Sequence, residues 1–226
     1  MHLLTNILLK RKNPEGIRTM SEKQYLKESW ISPKVEERNS PAHGRGLFAL
    51  ESIKAGEVVV IWGGDFVGQA EAQKAKQEGK AVQQIGENLY DIFDHATRND
   101  DPSYNHNHFC DPNTWMEDEV TISARRDIKP EEELTIDYAT FVIDDNYVMP
   151  GECKCGTSLC RHTITGKDWQ SKDLQERYDG HFSPYLNDCI LRRATLIAST
   201  GASARLAGLK LSDEQVEQIS KSSEQK

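Results

Sequence analysis

The sequence predicts a mainly β protein with a short inserted helix and a helical C-terminal segment. Most of residues 31–145 consists of short segments that are β-branched or alternate in polarity, with Gly or Pro between them. Residues 71–79, rich in Ala, Gln and Lys, give this region its helical pattern. Further helical patterns follow at residues 171–178 and 184–198. Short strands followed by helices indicate one β-dominated domain with a C-terminal addition.

The predicted strands follow from local composition. A short strand and turn is predicted between residue 31 and Pro41. Residues 58–62 read Val-Val-Val-Ile-Trp, which suits a buried strand, and two glycines end it. Leu89–Phe93 alternates in polarity, and residues 120–124 are β-branched before a turn that contains Pro130. These segments are the expected framework of the domain.

The chain is polar and acidic. It has 226 residues, 28% of them charged, and a formal net charge of −8; its pI is about 5.4 and its mean hydropathy −0.68. Nucleic-acid-binding surfaces are normally basic, so no direct nucleic-acid binding is expected. An acidic protein suits a basic partner, such as a lysine-containing protein or peptide. No apolar run reaches the ~20 residues of a membrane span, so no membrane association is expected.

Cysteine usage predicts an intracellular location. Five cysteines, an odd number with three close together, favour a reducing compartment (cytoplasm or nucleus) over a disulfide framework. The basic residues 10–12 follow the apolar N-terminal stretch, which is the wrong order for a secretory signal.

The clustered cysteines predict a structural zinc site. Cys153 and Cys155 are separated by one residue, and Cys160 follows five residues later. Structural zinc takes four ligands, so a fourth must come from elsewhere. Cys110 is the natural donor because it lies in a polar turn, and His162 is the alternative. Four protein ligands leave no open position for catalysis at the metal.

The stretch from residue 103 to Tyr138 joins a polar turn that contains a thiol to a strand that ends in a tyrosine. A buried tyrosine is by itself usually a hydrogen-bonded core group. Upstream, Gly44 and Gly46 flank Arg45 and let the backbone approach a ligand closely, although an ordinary hairpin turn has the same pattern. Cys189 lies in a helical apolar pattern and fits a packed thiol.

Taken together, four motifs resemble the SET-domain protein lysine methyltransferases with a post-SET zinc-binding motif. The resemblance covers about residues 32–165. The motifs occur in the order His43-Gly44-Arg45-Gly46-Leu47-Phe48-Ala49, Asn107-His108-Phe109-Cys110-Asp111-Pro112-Asn113, Glu132-Glu133-Leu134-Thr135-Ile136-Asp137-Tyr138, and the cysteines Cys153, Cys155 and Cys160.

The resemblance implies a SET-type β fold in which the Asn107 segment forms a pseudoknot. It implies an S-adenosyl-L-methionine-dependent protein-lysine N-methyltransferase, which transfers methyl groups to the ε-amine of a lysine in a protein or peptide, with histones among the candidates. Tyr138 would be the catalytic tyrosine. The implied cofactor contacts are Arg45, Gly46, Leu47, Asn107, His108 and Tyr138, and the implied zinc ligands are Cys110, Cys153, Cys155 and Cys160.

Two positions of the implied substrate channel differ from the family pattern. Trp62 stands where a channel tyrosine is frequent, and it can supply a wall and a cation–π face but no hydroxyl. Ile136 stands where Phe or Tyr often limits the number of methyl groups, so higher methylation states become accessible.

The expected organisation has five parts. They are a flexible N-terminal extension (1–30), the SET domain (31–145), the post-SET zinc segment (146–165), a helical segment (166–198) and a polar tail (199–226). An acidic run within 131–152 is either a solvated face or a surface for a basic peptide. The alternative function is a non-catalytic SET-type protein that binds peptides or acts as a scaffold.

Overall fold

The computed structural model describes residues 23–94, 100–206, 212 and 215–219. Over these residues the protein is mainly β, which confirms the predicted fold class. The strands are β1 (Trp30–Ile31), β2 (Val35–Asn39), β3 (Arg45–Ala49), β4 (Val58–Ile61), β5 (Asp65–Val67), β6 (Ala81–Gly86), β7 (Leu89–Phe93), β8 (Asn107–His108), β9 (Thr114–Met116), β10 (Thr121–Ala124) and β11 (Glu133–Ile136).

Helices are short in the β region and longer toward the C-terminus. α1 (Gln69–Gln77) is the helix predicted at residues 71–79, and α2 (Lys172–Arg177) is the one predicted at 171–178. α3 (Pro184–Leu206) continues past residue 198, where the sequence predicted a polar tail. Ser199, Thr200 and Gly201 are poor helix formers and favoured a stop after residue 198, but the helix continues through them into a segment that ends in the good helix formers Ala-Arg-Leu.

Three small sheets form the β region. The first has the strand order β1-β4-β10-β9, the second β2-β3-β11-β8, and the third, β5-β7-β6, is a hairpin with an added edge strand. In the second sheet β8 pairs in parallel with β11, so that Asn107 lies opposite Thr135 and His108 opposite Ile136. The other pairs in the described sheets are antiparallel. The parallel pair places the Asn107 motif beside the strand that leads to Tyr138.

The main hydrophobic core lies between the first two sheets. Its members are mostly aliphatic residues from the inward faces of the strands. They include Leu47, Val59, Val60, Met116, Ile122, Ile128, Leu134 and Ile136, each at most 1% exposed. Because β3 and β11 supply part of this core, the backbone on which the predicted site residues lie is held by packing.

Residues 23–30 pack against the domain, whereas the sequence predicted a flexible extension up to residue 30. The Tyr25 hydroxyl donates to Glu119 at 2.5 Å, and its ring packs on Phe66 at a centroid distance of 4.8 Å. The Ser29 hydroxyl donates to Asp101 at 2.6 Å. These partners lie far away in sequence, so the local pattern gave no sign of them. Residues 1–22 of the predicted extension lie outside the described residues.

A second core cluster attaches the C-terminal helices to the domain. Tyr178, Phe182 and Leu186 pack around Ala139, which follows Tyr138 directly. The helical segment therefore supports the turn in which Tyr138 lies. Over the described residues, no helix is long and apolar enough to cross a membrane.

Candidate functional site

The predicted site residues converge on the end of β11. Leu47 pairs with Leu134, Asn107 with Thr135 and His108 with Ile136. Tyr138 follows two residues after the strand and begins a 3₁₀ turn, Tyr138–Thr140, instead of ending the strand. The Asp137 side chain caps this turn by accepting from the amide of Ala139 at 3.0 Å. The cap fixes the direction in which Tyr138 leaves the sheet.

Asn107 holds the loop that precedes β3. Its side-chain amide donates to the carbonyls of His43 and Arg45 at 3.2 and 2.9 Å, and to Glu133 at 2.7 Å. Gly46 packs closely against this group, since a Cβ there would lie 2.3 Å from Glu133 Oε1. The Asn107 side chain thus organises backbone, and any contact with a cofactor at Gly46 or Leu47 comes from main-chain groups.

His108 links the Tyr138 turn to Cys110. The backbone amide of Tyr138 donates to His108 Nδ1 at 3.2 Å, so the proton of the neutral ring is on Nε2. Nε2 lies 3.3 Å from the sulfur of Cys110. Burial lowers the pKa of His108 to about 4, and the ring is therefore neutral at ordinary pH. Both ring nitrogens have partners within the protein.

The Tyr138 hydroxyl lies at the wall of a large cleft. It donates to the carbonyl of His106 at 3.3 Å, and burial raises the pKa of Tyr138 well above its usual value. The ring contacts Phe141 and Tyr147 edge-on at centroid distances of 5.5 and 6.4 Å. Tyr138 is consequently a neutral phenol held by aromatic neighbours.

The cleft has a volume of about 1030 Å³ and an aromatic centre. Trp62 is 9% exposed and donates from its indole N–H to the carbonyl of Ser103 at 3.3 Å. Tyr104 stacks on it with an interplanar angle of 4° and a centroid distance of 6.3 Å. Together with Tyr138, Phe141 and Tyr147 these rings form apolar walls suited to the aliphatic stem of a long side chain.

Tyr104 is a cleft residue that the sequence analysis missed. Its hydroxyl lies 3.2 Å from Asp91 Oδ2 and 3.4 Å from the carbonyl of Gly63. Asp91 is 4% exposed and also lines the cleft. In the sequence Tyr104 precedes the Asn107 motif in a polar loop, and nothing in the local pattern couples it to Trp62 or Asp91. Its hydroxyl stands beside Trp62, which has none.

Only one of the two predicted channel residues lines the cleft in the described part of the chain. Trp62 lines the cleft, whereas Ile136 is fully buried in the main core and is not among the residues that line it. The predicted cofactor contacts other than Tyr138 also lie outside the cleft lining within the described chain. The role of Ile136 and the cofactor contacts remain predictions.

The four predicted metal ligands meet in space. The sulfurs of Cys110, Cys153, Cys155 and Cys160 all lie within 4.8 Å of one another. Cys110 and Cys153 are buried, with their sulfurs 3.9 Å apart. A tetrahedral site with Zn–S bonds of about 2.3 Å has its sulfurs roughly 3.8 Å apart. Among the described residues His162 is not part of the group, and Cys189 lies on α3.

The thiols differ in their readiness to ionise. Burial raises the pKa of Cys110 to about 11. At Cys155 burial acts in the same direction, but hydrogen bonds from Thr157 and from backbone amides outweigh it and lower the pKa to about 6. A thiolate close to three further sulfurs is a donor set for a soft cation.

Arg161 connects the cysteine segment to the Tyr138 turn. Its guanidinium donates to both oxygens of Asp137 at 2.7 Å and to Asp168 at 3.0 Å. Asp137 is fully buried and also accepts from the Tyr178 hydroxyl at 3.0 Å. Sequence reasoning missed this pair, because nothing in the local pattern couples Arg161 to a carboxylate 24 residues away.

Comparison with known protein families matches residues 44–139 to the SET domain. Residues 44–139 are a SET domain. The matched SET domain begins at Gly44, in the loop before β3, and ends at Ala139, directly after Tyr138. It thus includes the convergence of motifs at β11, while Cys153, Cys155 and Cys160 follow it in the chain.

Proteins with related sequences are named histone-lysine N-methyltransferases. The chain is 27% identical over 173 residues to ATX2 of Arabidopsis thaliana, which covers 70% of this chain and 15% of that protein. It is 32% identical over 136 residues to histone-lysine N-methyltransferase 2B of Homo sapiens, which covers 55% of this chain and 5% of that protein. It is 31% identical over 140 residues to ASHH3 of Arabidopsis thaliana, and this alignment covers 57% of this chain and 38% of that protein. This chain spans less than half the length of each of these relatives.

Among solved structures, the methyltransferase domain of human histone-lysine N-methyltransferase SETMAR aligns with 57% of each chain. The TM-score is 0.42 and the sequence identity 21%.

Proposed function

We propose that the protein is an S-adenosyl-L-methionine-dependent protein-lysine N-methyltransferase. The observation that carries the proposal is the neutral phenol of Tyr138, which stands in an aromatic cleft at the end of the SET domain. An aromatic cleft suits the aliphatic stem of lysine, and a fixed hydroxyl suits its amine.

The residues around the loop before β3 fit the cofactor. Leu47 is fully buried and the side-chain amide of Asn107 is engaged by protein groups, so the chain would hold the cofactor mainly through backbone atoms of Arg45, Gly46 and Leu47. A Cβ at Gly46 would displace the Glu133 carboxylate that bonds to Asn107, so glycine keeps this hydrogen-bonded group in place. Asn107 and His108 would support this backbone from the neighbouring strand. When bound, S-adenosylmethionine supplies an electrophilic methyl group.

The protein's own contribution is to select and orient a neutral amine. A methyl acceptor needs a free lone pair, and walls made of Trp62, Phe141 and Tyr147 disfavour the ammonium form by removing water from it. The Tyr138 hydroxyl donates its proton to the carbonyl of His106. The hydroxyl oxygen of Tyr138 can therefore accept an N–H of the amine. Orientation of this kind can supply much of the rate acceleration of a bimolecular transfer.

The cysteine group fits a structural zinc ion. Cys110, Cys153, Cys155 and Cys160 would hold it, and the ion would tie the post-SET segment to the Asn107 motif. Four sulfur ligands leave no position for a reacting group, so the metal would act on folding and not on the chemistry.

The proposed substrate is a basic, lysine-containing protein or peptide. The chain carries a net charge of −8, and Asp91, Glu119 and Asp144 line the cleft together with Lys76 and Lys80. The names of the relatives make histones the first proteins to test. The proposed location is a reducing compartment, the cytoplasm or the nucleus, and five cysteines without a disulfide support it.

The proposal is tested by incubating the protein with labelled S-adenosylmethionine and a panel of basic proteins. Transfer of label by the wild-type protein and a loss of at least about a hundredfold in Tyr138→Phe are expected. Peptide binding that is indifferent to both the cofactor and Tyr138, with no transfer, would instead identify a non-catalytic SET-type binding protein.

A further inference from the structure

The imidazole of His106 is a buried polar group in the cleft wall that the proposed mechanism uses only through its carbonyl. The residue is 3% exposed and is one of the residues that line the cleft. Its Nδ1 atom is buried and has no hydrogen-bond partner in the described part of the chain. Buried polar atoms are nearly always paired in native proteins, so an unpaired one in a ligand cleft points to a ligand.

The hydrogen bonds around Thr114 determine where the proton of this ring lies. The Thr114 hydroxyl has one proton, which it donates to the carbonyl of Thr135 at 2.8 Å. His106 Nε2 lies 3.0 Å from the same hydroxyl oxygen, so Nε2 must be the donor to it. Burial lowers the pKa of His106 to about 3, and the ring is neutral. Nδ1 is therefore an unprotonated acceptor on the other side of the ring.

The neighbouring tyrosines direct their protons to other acceptors. The Tyr138 hydroxyl donates to the carbonyl of His106, and the Tyr104 hydroxyl lies within hydrogen-bond distance of Asp91 and of the Gly63 carbonyl. Among the described residues neither tyrosine supplies the donor for His106 Nδ1, and a molecule that enters the cleft can bring one. A neutral primary amine brings two N–H groups and one lone pair.

We propose that His106 Nδ1 accepts an N–H of the substrate's ε-amine and positions that amine for methyl transfer. The inference rests on the proposed lysine methyltransferase function. One N–H of the amine is directed to Nδ1 and the other to the Tyr138 oxygen, which leaves the lone pair for the methyl group. With both N–H groups fixed, the direction of the lone pair is fixed as well. His106 and Tyr138 thus form a two-point acceptor for the amine.

Two substitutions separate this role from structural support. His106→Gln places an amide N–H2 near the position of Nε2, so it can keep the bond to Thr114 but has no acceptor at the position of Nδ1. His106→Asn does the opposite, because its amide oxygen lies near the position of Nδ1 and its side chain is too short to reach Thr114. We expect kcat to fall about tenfold or more in His106→Gln and to fall by a clearly smaller factor in His106→Asn.

If His106 served only as structural support, the order of activities would be reversed. The Gln variant would then be the more active one, because it keeps the buried hydrogen bond to Thr114. Greater activity in His106→Gln than in His106→Asn, or equal losses in both, would overturn the inference. Cofactor affinity and melting temperature of both variants are measured in parallel, so that a folding defect is not read as a loss of positioning.

A measurement that does not depend on turnover is ¹⁵N NMR of the His106 ring in the intact protein. Titration with a lysine-containing peptide should change the Nδ1 resonance in the direction of hydrogen bonding and leave Nε2 nearly unchanged. An Nδ1 resonance that does not respond to a peptide that binds would contradict the inference. A wild-type protein with no methyl transfer to any substrate would instead contradict the proposed function, which keeps the two failures distinct.

Discussion

Arg161 forms a bidentate ion pair with the buried carboxylate of Asp137, in which each of two guanidinium nitrogens lies 2.7 Å from a different carboxylate oxygen. Asp137 immediately precedes Tyr138, and Arg161 immediately follows Cys160. This ion pair therefore joins the cysteine segment to the turn that holds the proposed catalytic tyrosine. Planar, bidentate geometry of this kind is specific to arginine, so the pair also fixes the orientation of the two segments.

Loss of Arg161 should destabilise the protein strongly. Arg161→Met leaves the buried Asp137 carboxylate without its cation, and removal of one partner of a buried pair costs about 3–5 kcal/mol. The free energy of unfolding in urea measures this cost. Arg126→Met is the matched control, since Arg126 pairs with Glu132 at the surface, where such pairs contribute less than about 1 kcal/mol. Equal losses in the two variants would show that the Arg161 pair is not a structural tie.

The cysteine group should bind about one zinc ion per chain when the protein is purified without chelators. Cys110→Ser should lose the metal and lower the melting temperature by more than about 5 °C, because metal binding and local folding are coupled. Cys189→Ser lies outside the group and should keep the zinc. Elemental analysis decides the matter: full zinc content in Cys110→Ser, or none in the wild type, contradicts the four-cysteine site.

The packing of residues 23–30 can be tested at Gly63. A Cβ at Gly63 would lie 2.3 Å from the backbone carbonyl carbon of Glu28, so Gly63→Ala should force this segment away at a cost of about 1–3 kcal/mol. Hydrogen exchange of the amides in residues 23–30 should then accelerate. Gly68→Ala is the control, since the nearest atom to its Cβ would be 3.9 Å away. Unchanged exchange in Gly63→Ala would mean that the segment is not held there.

Stability should fall with acid partly because His106 is buried in its neutral form. The unfolded chain takes up a proton on this ring near the ordinary pKa of 6.5, whereas the folded protein resists until about pH 3. The unfolded state thus binds more protons between these values, and stability is lost as the pH falls through this window at up to about 1.4 kcal/mol per pH unit. His106→Gln removes this contribution.

Urea unfolding at a series of pH values compares the two proteins. Above pH 6.5 His106 is neutral in the folded and the unfolded state, so it does not affect how the free energy of unfolding changes with pH. The plots of unfolding free energy against pH for the wild type and His106→Gln should therefore run parallel above pH 6.5 and diverge in acid. Parallel curves down to pH 4 would contradict the burial of a neutral His106.

The parts of the fold that the sequence predicted are those in which local pattern and tertiary structure agree. Leu89–Phe93 alternates in polarity and forms a strand with those bounds. β6 (Ala81–Gly86) was missed, because Gln83 and Gln84 have little β propensity and the strand exists through its pairing with β7. Long-range pairing also accounts for the packed residues 23–30.

At the candidate site, motif order predicted which residues come together but not how their side chains are used. The four cysteines meet as expected. Among the described residues, the nitrogens of His108 contact Tyr138 and Cys110, and the acceptor without a partner belongs to His106, two residues earlier. Such assignments depend on hydrogen-bond partners, Thr114 among them, that the chain brings together only on folding.

The central claim is tested most directly by mass spectrometry of lysine residues in basic proteins, histones first, after incubation with S-adenosylmethionine and either wild-type protein or Tyr138→Phe. The account predicts methylated lysines with the wild-type protein and at least about a hundredfold fewer with the variant, whose hydroxyl no longer orients the amine. Equal methylation by the two proteins, or no methylated lysine with the wild type, would contradict it.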